Sequence, residues 1–133
     1  MFSVEQMFQL VDDIESYPEF VPYCTKAQII NRSENQVSAT LEISKKGFAK
    51  SFSTENTIIN NQTINMQLID GPFNHLNGVW HFLPLDDNAC KIELELEFEF
   101  SNKLASMAFA GIFKQLTHSM VNAFTERAQV IYG

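Results

Sequence analysis

The sequence is short of positive charge, of cysteine and of long apolar runs, and each shortage excludes a class of protein. Nine Lys and Arg residues stand against sixteen Asp and Glu residues, and the net charge of −7 argues against DNA binding and a broadly basic surface. The two cysteines, Cys24 and Cys90, are too few for a disulfide scaffold and indicate a reducing compartment. No signal peptide and no apolar run of roughly 18 residues is present. We therefore expect a soluble cytoplasmic protein.

The residue patterns of catalytic and metal sites are also missing. His75, His81 and His118 have no metal-like spacing with one another or with cysteine. The glutamate row of residues 93–99 lies on one predicted strand, where same-face neighbours stand about 7 Å apart, too far for one strand to chelate a cation closely. Phosphate-loop, dinucleotide-binding and nucleophile-elbow motifs do not occur. Cys24 is a nucleophile only beside a base, and a buried thiol is the favoured alternative. We predict no enzyme activity, no metal and no cofactor.

What the sequence does contain is a large amount of phenylalanine. Twelve Phe residues accompany one Trp and three Tyr residues. This excess of aromatic rings without a hydroxyl suits either an apolar cavity or a phenylalanine-rich core. A length of 133 residues predicts one domain, residues 1–133, that is large enough to bury a core.

The C-terminal stretch, residues 101–132, is predicted to form one long amphipathic helix. At 100° per residue, one arc of this helix carries an apolar stripe. The stripe consists of Ala105, Phe109, Ile112, Phe113, Leu116, Met120, Ala123, Phe124, Val130 and Ile131. In residues 104–113 the opposite side is apolar as well, so this half is either buried all round or borders something apolar. Because its residues are apolar on both sides, this half of the helix is a candidate tunnel mouth or partner surface, and Gly111 interrupts the helix within it.

The rest of the chain supplies a wall for that helix. Ser3 and Gln6 match a capping box and open a short amphipathic helix that stops before Pro18. Six runs with alternating apolar and polar residues then predict antiparallel strands with one packed face. Their ranges are 27–32, 36–44, 48–59, 63–69, 76–84 and 90–100. A curved sheet with one apolar face needs a cover, so the fold class is α+β with the long helix across the sheet.

Two local features point to a site. Gly78 and Trp80 share one face of a predicted strand, where a glycine often marks a bend or a close approach, so the pair could shape a cavity wall. Arg127 lies near the centre of the helix stripe, where a charge needs a partner. It either binds the polar head of a ligand or forms a structural ion pair.

Five blocks of the sequence, spread over essentially the whole chain, resemble one family. They are YPEFVPYC (17–24), SKKGFAKSF (44–52), DGPF with GVW (70–73 and 78–80), FEF (98–100) and AFTERA (123–128). Together they resemble the bacterial RatA-type ribosome-association proteins, which belong with the mitochondrial coenzyme Q-binding proteins in the START-like (polyketide cyclase/dehydrase-like) superfamily. The resemblance implies a helix-grip fold in which a curved antiparallel sheet and the C-terminal helix enclose an apolar tunnel.

The resemblance implies two functions. One is non-catalytic binding of an apolar ligand, ubiquinone or a similar isoprenoid lipid, in support of respiration. The alternative is a toxin–antitoxin-type inhibitor of translation that binds the large ribosomal subunit and blocks 70S association. The net charge weighs against a broad RNA footprint, although Lys45, Lys46 and Lys50 form a local basic patch. A cyclase-like activity is a third hypothesis, since the superfamily includes cyclases, but no acid–base pair in the sequence supports it.

For ligand binding we single out aromatic residues near the predicted tunnel, with two further residues on the long helix. The set is Phe73, Trp80, Phe109, Phe113, Gly111 and Arg127.

One departure from the family concerns the edge of the sheet. Family members carry a strand before the capped helix, where this sequence has only Met1 and Phe2. Without it, the last strand, which begins at Cys90 and ends at Phe100, is expected to be an exposed edge. Either its glutamates protect that edge or a second copy of the chain covers it as a homodimer.

Overall fold

The computed structural model describes residues 2–45 and 48–133, and within them all side chains except those of residues 45, 48, 104–106, 108 and 109. The chain forms a helix, a short 3₁₀ helix, six strands and a long helix. In order these are α1 (Val4–Asp12), the 3₁₀ helix (Ile14–Glu19), β1 (Cys24–Arg32), β2 (Gln36–Lys45), β3 (Phe48–Ile59), β4 (Thr63–Asp70), β5 (Phe73–Asp86), β6 (Ala89–Phe100) and α2 (Lys103–Tyr132). The predicted α+β helix-grip architecture is confirmed.

The start of α1 is fixed by the predicted capping box. The Gln6 backbone N–H donates to Ser3 Oγ at 3.2 Å, and the Ser3 N–H donates to Gln6 Oε1 at 3.0 Å. These bonds satisfy two of the N–H groups that a helix start leaves without intrahelical partners. The helix then buries one apolar face, formed by Met7, Phe8, Leu10 and Val11.

The six strands form one antiparallel sheet in which every strand pairs with its neighbours in sequence, in the order β1-β2-β3-β4-β5-β6. All six predicted strands are present, and three begin earlier than predicted, β6 by a single residue at Ala89. β5 begins at Phe73 because the turn before it needs only Gly71 and Pro72. β1 begins at Cys24, which pairs with Ile43 ahead of an irregularity in the register.

Gly71 is required by the turn between β4 and β5. Its φ of +153° lies where side chains are disfavoured, and a Cβ there would stand 2.6 Å from Phe52 Cβ. The same Cβ would come within 3.2 Å of the Phe52 Cα, which cannot move without the strand. The turn therefore brings its backbone directly against β3.

Helix α2 covers the apolar face of the sheet, as predicted, but the buried stripe ends differently. Phe113, Leu116, Phe124 and Ala128 are buried. The expectation for Val130 and Ile131 is wrong, since they are 73% and 50% exposed. Val130 follows Phe124 by six residues, a rotation of about 120° away from the buried face. Ile131 lies in the last turn, at the rim of an open crevice beside Leu10 and Phe20.

The first half of α2 is not buried all round. Met107 is 83% exposed, and Ala110 and Gly111 are exposed too. The side chains of Leu104, Ala105 and Phe109 lie outside the described residues, as does the predicted stripe at the start of the helix.

Two aromatic clusters hold α2 on the sheet. Near its start, the Phe113 ring meets those of Phe98, Phe73 and Phe52 at centroid distances of 4.7, 5.2 and 5.9 Å. Further along, the Phe124 ring meets those of Phe20, Tyr17 and Trp80 at 5.0, 5.2 and 5.3 Å. Between the clusters, α2 presents Leu116, Thr117 and Met120 to the sheet. This gap positions the candidate site.

In the described chain, β6 has a hydrogen-bonded neighbour only on its β5 side. The inward side chains of β5 are buried, among them Leu76, Trp80 and Phe82. The inward side chains of β6 are only half-buried: Ile92, Leu94, Leu96, Phe98 and Phe100. The predicted edge strand is therefore present.

Candidate functional site

An apolar cavity lies between the sheet and α2, in the gap that separates the two aromatic clusters. Its volume is about 70 Å³. Side chains from the 3₁₀ helix, five strands and α2 line it. They are Ile14, Tyr17, Ala39, Leu41, Phe52, Thr54, Asn56, Met66, Leu76, Trp80, Leu94, Leu96, Phe113, Leu116, Thr117 and Met120.

The wall of the cavity carries no charged side chain among the residues described. Its polar members are Tyr17, Thr54, Asn56 and Thr117. The Tyr17 hydroxyl donates to the Val11 carbonyl, and burial raises the pKa of this phenol well above its usual value, so it stays protonated. The Thr117 hydroxyl donates to the carbonyl of residue 113 at 2.9 Å, one helical turn back. An uncharged, mostly apolar interior is typical of sites for small apolar ligands.

Gly78 shapes the floor of the cavity from the middle of β5. It pairs with Met66 on β4 and with Leu96 on β6. A Cβ at Gly78 would lie 2.7 Å from Met66 Cε and 2.8 Å from Leu96 Cδ1, so these two lining side chains meet above the glycine. Trp80, two residues along the strand, lies in the wall of the cavity.

The structure brings part of the predicted ligand-binding set together. Trp80 and Phe113 line the cavity. Phe73 stands behind them, with its ring against the lining residues Phe52 and Phe113 at 5.7 and 5.2 Å. Phe109 lies outside the described side chains. The role of these residues in binding a ligand stays a prediction.

Gly111 and Arg127 lie away from the cavity. Gly111 is exposed, and a Cβ built on it would meet nothing within 4 Å. Arg127 pairs with Glu19 at 3.2 Å and places its guanidinium carbon 5.0 Å from the centre of the Phe20 ring. The structure therefore shows the ion pair that the sequence left as one of two alternatives for Arg127.

Several lining residues were not singled out from the sequence, Thr54 and Asn56 above all. A signal for them exists in the alternation of β3. Phe52 and Ile58 face the core, and residues two and four positions after Phe52 must share that face. A polar pair on the apolar side of a strand could therefore have been recognised as part of a site.

Among the side chains that the structure describes, groups with nucleophilic or metal-binding chemistry are not assembled into a site. Burial raises the pKa of the Cys24 thiol to about 11, and burial also raises that of Cys90, so both thiols stay protonated near neutral pH. His75 and His81 lie beside Glu99 and Glu95 at 3.7 and 3.3 Å on the outer face of the sheet. Within the described ranges, no group of three His, Cys, Asp or Glu side chains could hold a metal ion.

A curved antiparallel sheet gripping a C-terminal helix over an uncharged cavity defines the class of helix-grip, START-like proteins. The family model described as "Polyketide cyclase / dehydrase and lipid transport" matches residues 2–125. The chain belongs to this family.

Similar proteins of known name show to which branch of the superfamily the chain belongs. The chain is 51% identical to the "Ribosome association toxin RatA" of Vibrio cholerae over 99% of this chain and 92% of that protein. It is 31% identical to "Coenzyme Q-binding protein COQ10 homolog B, mitochondrial" of Xenopus laevis, over 99% of this chain and 56% of that protein. The chain is thus a member of the RatA and coenzyme Q-binding family, within the START-like superfamily.

A solved structure agrees on the fold. The ZhuI aromatase/cyclase from Streptomyces sp. R1128 superposes with a TM-score of 0.84 over 96% of this chain and 87% of that one, at 14% identity. This level of identity supports the fold and not a shared activity.

None of the helices in the described part of the chain has the length and apolar composition of a membrane span.

Proposed function

We propose that this protein is a non-catalytic binder of an apolar ligand, ubiquinone or a similar isoprenoid lipid, which it holds between the sheet and α2 in the cytoplasm. The single observation that carries the proposal is the cavity, with its uncharged wall and with Trp80 and Phe113 among its lining. The Xenopus relative named as a coenzyme Q-binding protein supports this choice of ligand class. The described wall offers no acid–base pair or metal site for catalysis.

Binding requires the cavity to expand. At about 70 Å³ it is well below the range of about 300–1,000 Å³ that is usual for ligand pockets. Met66 and Met120 lie in the wall, and the flexible thioether side chain can adopt several shapes at little cost. We expect a ligand to displace these side chains, which would leave the two aromatic clusters at either end in place.

The test is direct titration together with extraction. Trp80 is the only tryptophan, is 1% exposed and lines the cavity, so its fluorescence reports on occupancy. We expect a decyl-substituted ubiquinone analogue to change this fluorescence with saturation, and lipid extraction of the purified protein to yield an isoprenoid. A Leu116→Trp variant, which fills the cavity but adds a second reporter, should be compared by calorimetry and should bind more weakly. Absence of any saturable binding and of any bound lipid would refute the proposal.

A second candidate function is association with the large ribosomal subunit so that 70S assembly is hindered. The observation that favours it is the 51% identity with a relative named as a ribosome association toxin. Three exposed lysines, Lys50, Lys103 and Lys114, called the basic end below, are candidates for contact with RNA. Lys50 lines a crevice with Phe100 and Phe113, and Lys103 and Lys114 are exposed close to those two residues in the chain. Lys46 and the Lys45 side chain lie outside the described residues.

Sucrose-gradient sedimentation tests the second function. Excess protein should cosediment with 50S subunits and reduce the 70S peak formed from purified subunits. An unchanged 70S peak and no cosedimentation would exclude this role. The titration with the quinone analogue is independent of this outcome, so the two functions can be judged separately.

A further inference from the structure

Two polar side chains interrupt the apolar wall of the cavity, next to each other on the inner face of β3. Thr54 is 9% exposed and Asn56 is 7% exposed. They lie between Phe52 and Ile58, in positions where the strand alternation calls for core residues. Burial of an amide among apolar groups costs free energy unless hydrogen bonds replace those lost to water. Packing of the fold alone therefore does not explain an asparagine here.

The hydrogen bonds of this pair leave one end of the amide unused. The Thr54 hydroxyl donates to Asn56 Oδ1 at 3.0 Å. This is the only hydrogen bond of the Asn56 side chain in the part of the chain that the structure describes. The nitrogen, Nδ2, can donate two hydrogen bonds. Among the described residues, Nδ2 is not one of the completely buried polar atoms without a partner, so part of this atom is accessible. The Asn56 side chain lines the cavity.

The other polar groups of the wall are already occupied. The hydroxyls of Tyr17 and Thr117 both donate to backbone carbonyls. Thr54 is engaged with Asn56. The Asn56 N–H groups are therefore the donors that the described wall leaves available for a ligand.

We propose that Asn56, held in place by Thr54, is the polar anchor of the cavity and donates a hydrogen bond to a neutral acceptor oxygen of the ligand. The acceptor class is a carbonyl oxygen, as in a quinone or an ester. A carboxylate or phosphate is disfavoured because no described cation lines the cavity to neutralise it. The inference rests on the proposed function as an apolar-ligand binder and specifies the chemistry of that ligand.

The experiment compares two probes that share a tail and differ in the head. They are the decyl-substituted ubiquinone analogue and decylbenzene, which has no oxygen, titrated by calorimetry. Asn56→Leu should weaken binding of the quinone roughly three- to tenfold, the usual effect of one lost hydrogen bond. Decylbenzene should bind this variant as well as the wild type. Thr54→Val should weaken quinone binding less, and Asn65→Leu on the exposed face of β4 should leave it unchanged.

The outcomes separate the anchor from the proposed function. If the wild type binds both probes equally and Asn56→Leu affects neither or both alike, the anchor is refuted while apolar-ligand binding stands. If the wild type binds neither probe, both are refuted. Infrared spectroscopy provides a measurement that needs no variant: the carbonyl stretch of the bound quinone should fall below its frequency in hexane. An unshifted stretch would overturn the inference even if Asn56→Leu fails to fold.

Discussion

At the scale of single residues, two glycines show how differently the same residue type is used. Replacing Gly111 by alanine should stabilise the fold by about 0.5–1 kcal/mol, because the helix gains propensity and the new Cβ meets nothing. Replacing Gly71 by alanine should cost about 2–4 kcal/mol, because a positive φ and a contact with the Phe52 backbone both oppose a side chain. Chemical denaturation of the two variants provides the comparison. Equal effects would mean that the turn can relax.

The buried thiol of Cys24 predicts a loss of stability at alkaline pH. Its pKa is 9.0 ordinarily and about 11 in the fold, mainly through burial. The unfolded thiol therefore releases its proton at lower pH, and the unfolding free energy falls as pH rises from about 9 to 11. Below that range the contribution of Cys24 is fully present. Urea titrations at pH 8, 9.5 and 11 should show a steeper fall for the wild type than for Cys24→Ala, and parallel curves would contradict this.

At the residue scale, the sequence predicts a side chain's position where the residue pattern allows only one direction for it, and does not where two arrangements fit the pattern. Trp80 and Phe113 were placed on the wall because their parity and helical phase decide which way they point. Arg127 could not be decided, because its partner Glu19 is 108 residues away in sequence. Gly111 was expected near the tunnel because helical phase does not reveal where the covering sheet ends.

At the scale of elements, negative charge disfavours pairing of the exposed edge of β6 with a second copy of the strand. The outer face of β6 carries four glutamates, at 93, 95, 97 and 99. Antiparallel pairing of two β6 strands from two copies would set these rows against each other on one face, and like charges opposite each other are destabilising. Of the two alternatives for this edge, we therefore expect protection by glutamates over a homodimer.

Light scattering can test this protection. The wild type should stay monomeric at high concentration, and the double variant Glu95→Thr/Glu97→Thr should associate, because threonine favours strand pairing and removes the repulsion. The matched control Glu34→Thr/Glu55→Thr removes the same charge from exposed positions away from this edge and should stay monomeric. A wild-type dimer would favour the other alternative.

The strands and helices were largely predictable because each has one buried face and therefore one period. The capping box fixed the start of α1, and six alternating runs gave six strands. The strand start at Phe73 was missed because the turn before it needs only Gly71 and Pro72, and the start at Cys24 because a register irregularity separates it from the alternating residues that follow. Val130 is exposed because its position around the axis of α2 differs from that of the buried residues. A rotation by one residue is enough to move a side chain from the buried face of the helix to the exposed face.

At the scale of the whole molecule, three exposed lysines stand out from a strongly acidic chain. The net charge is −7, yet Lys50, Lys103 and Lys114 are exposed around one end of α2. The acidic residues are spread over the chain, and two of them, Glu19 and Asp12, pair with Arg127 and Arg32. If ribosomal RNA is bound, contact through the basic end is favoured because phosphates require Lys or Arg.

Charge reversal tests this orientation. The triple variant Lys50→Glu/Lys103→Glu/Lys114→Glu should abolish cosedimentation with 50S subunits, and the salt dependence of any residual binding should be shallower. Lys91→Glu, an exposed lysine on β6 beside Glu93, is the control and should behave as the wild type. Quinone binding should persist in both variants, since none of these lysines lines the cavity. Unaltered cosedimentation of the triple variant would exclude the basic end.

The position of α2 after all six strands has a consequence for how the protein is made. All six strands leave the ribosome before the helix that covers their apolar face, and the Tyr132 hydroxyl closes the structure by donating to the Gln6 carbonyl at 3.2 Å. During synthesis, the apolar face of the sheet is therefore exposed for a time and can contact other chains. Translation that stops before α2 is complete should release fragments that aggregate or require a chaperone.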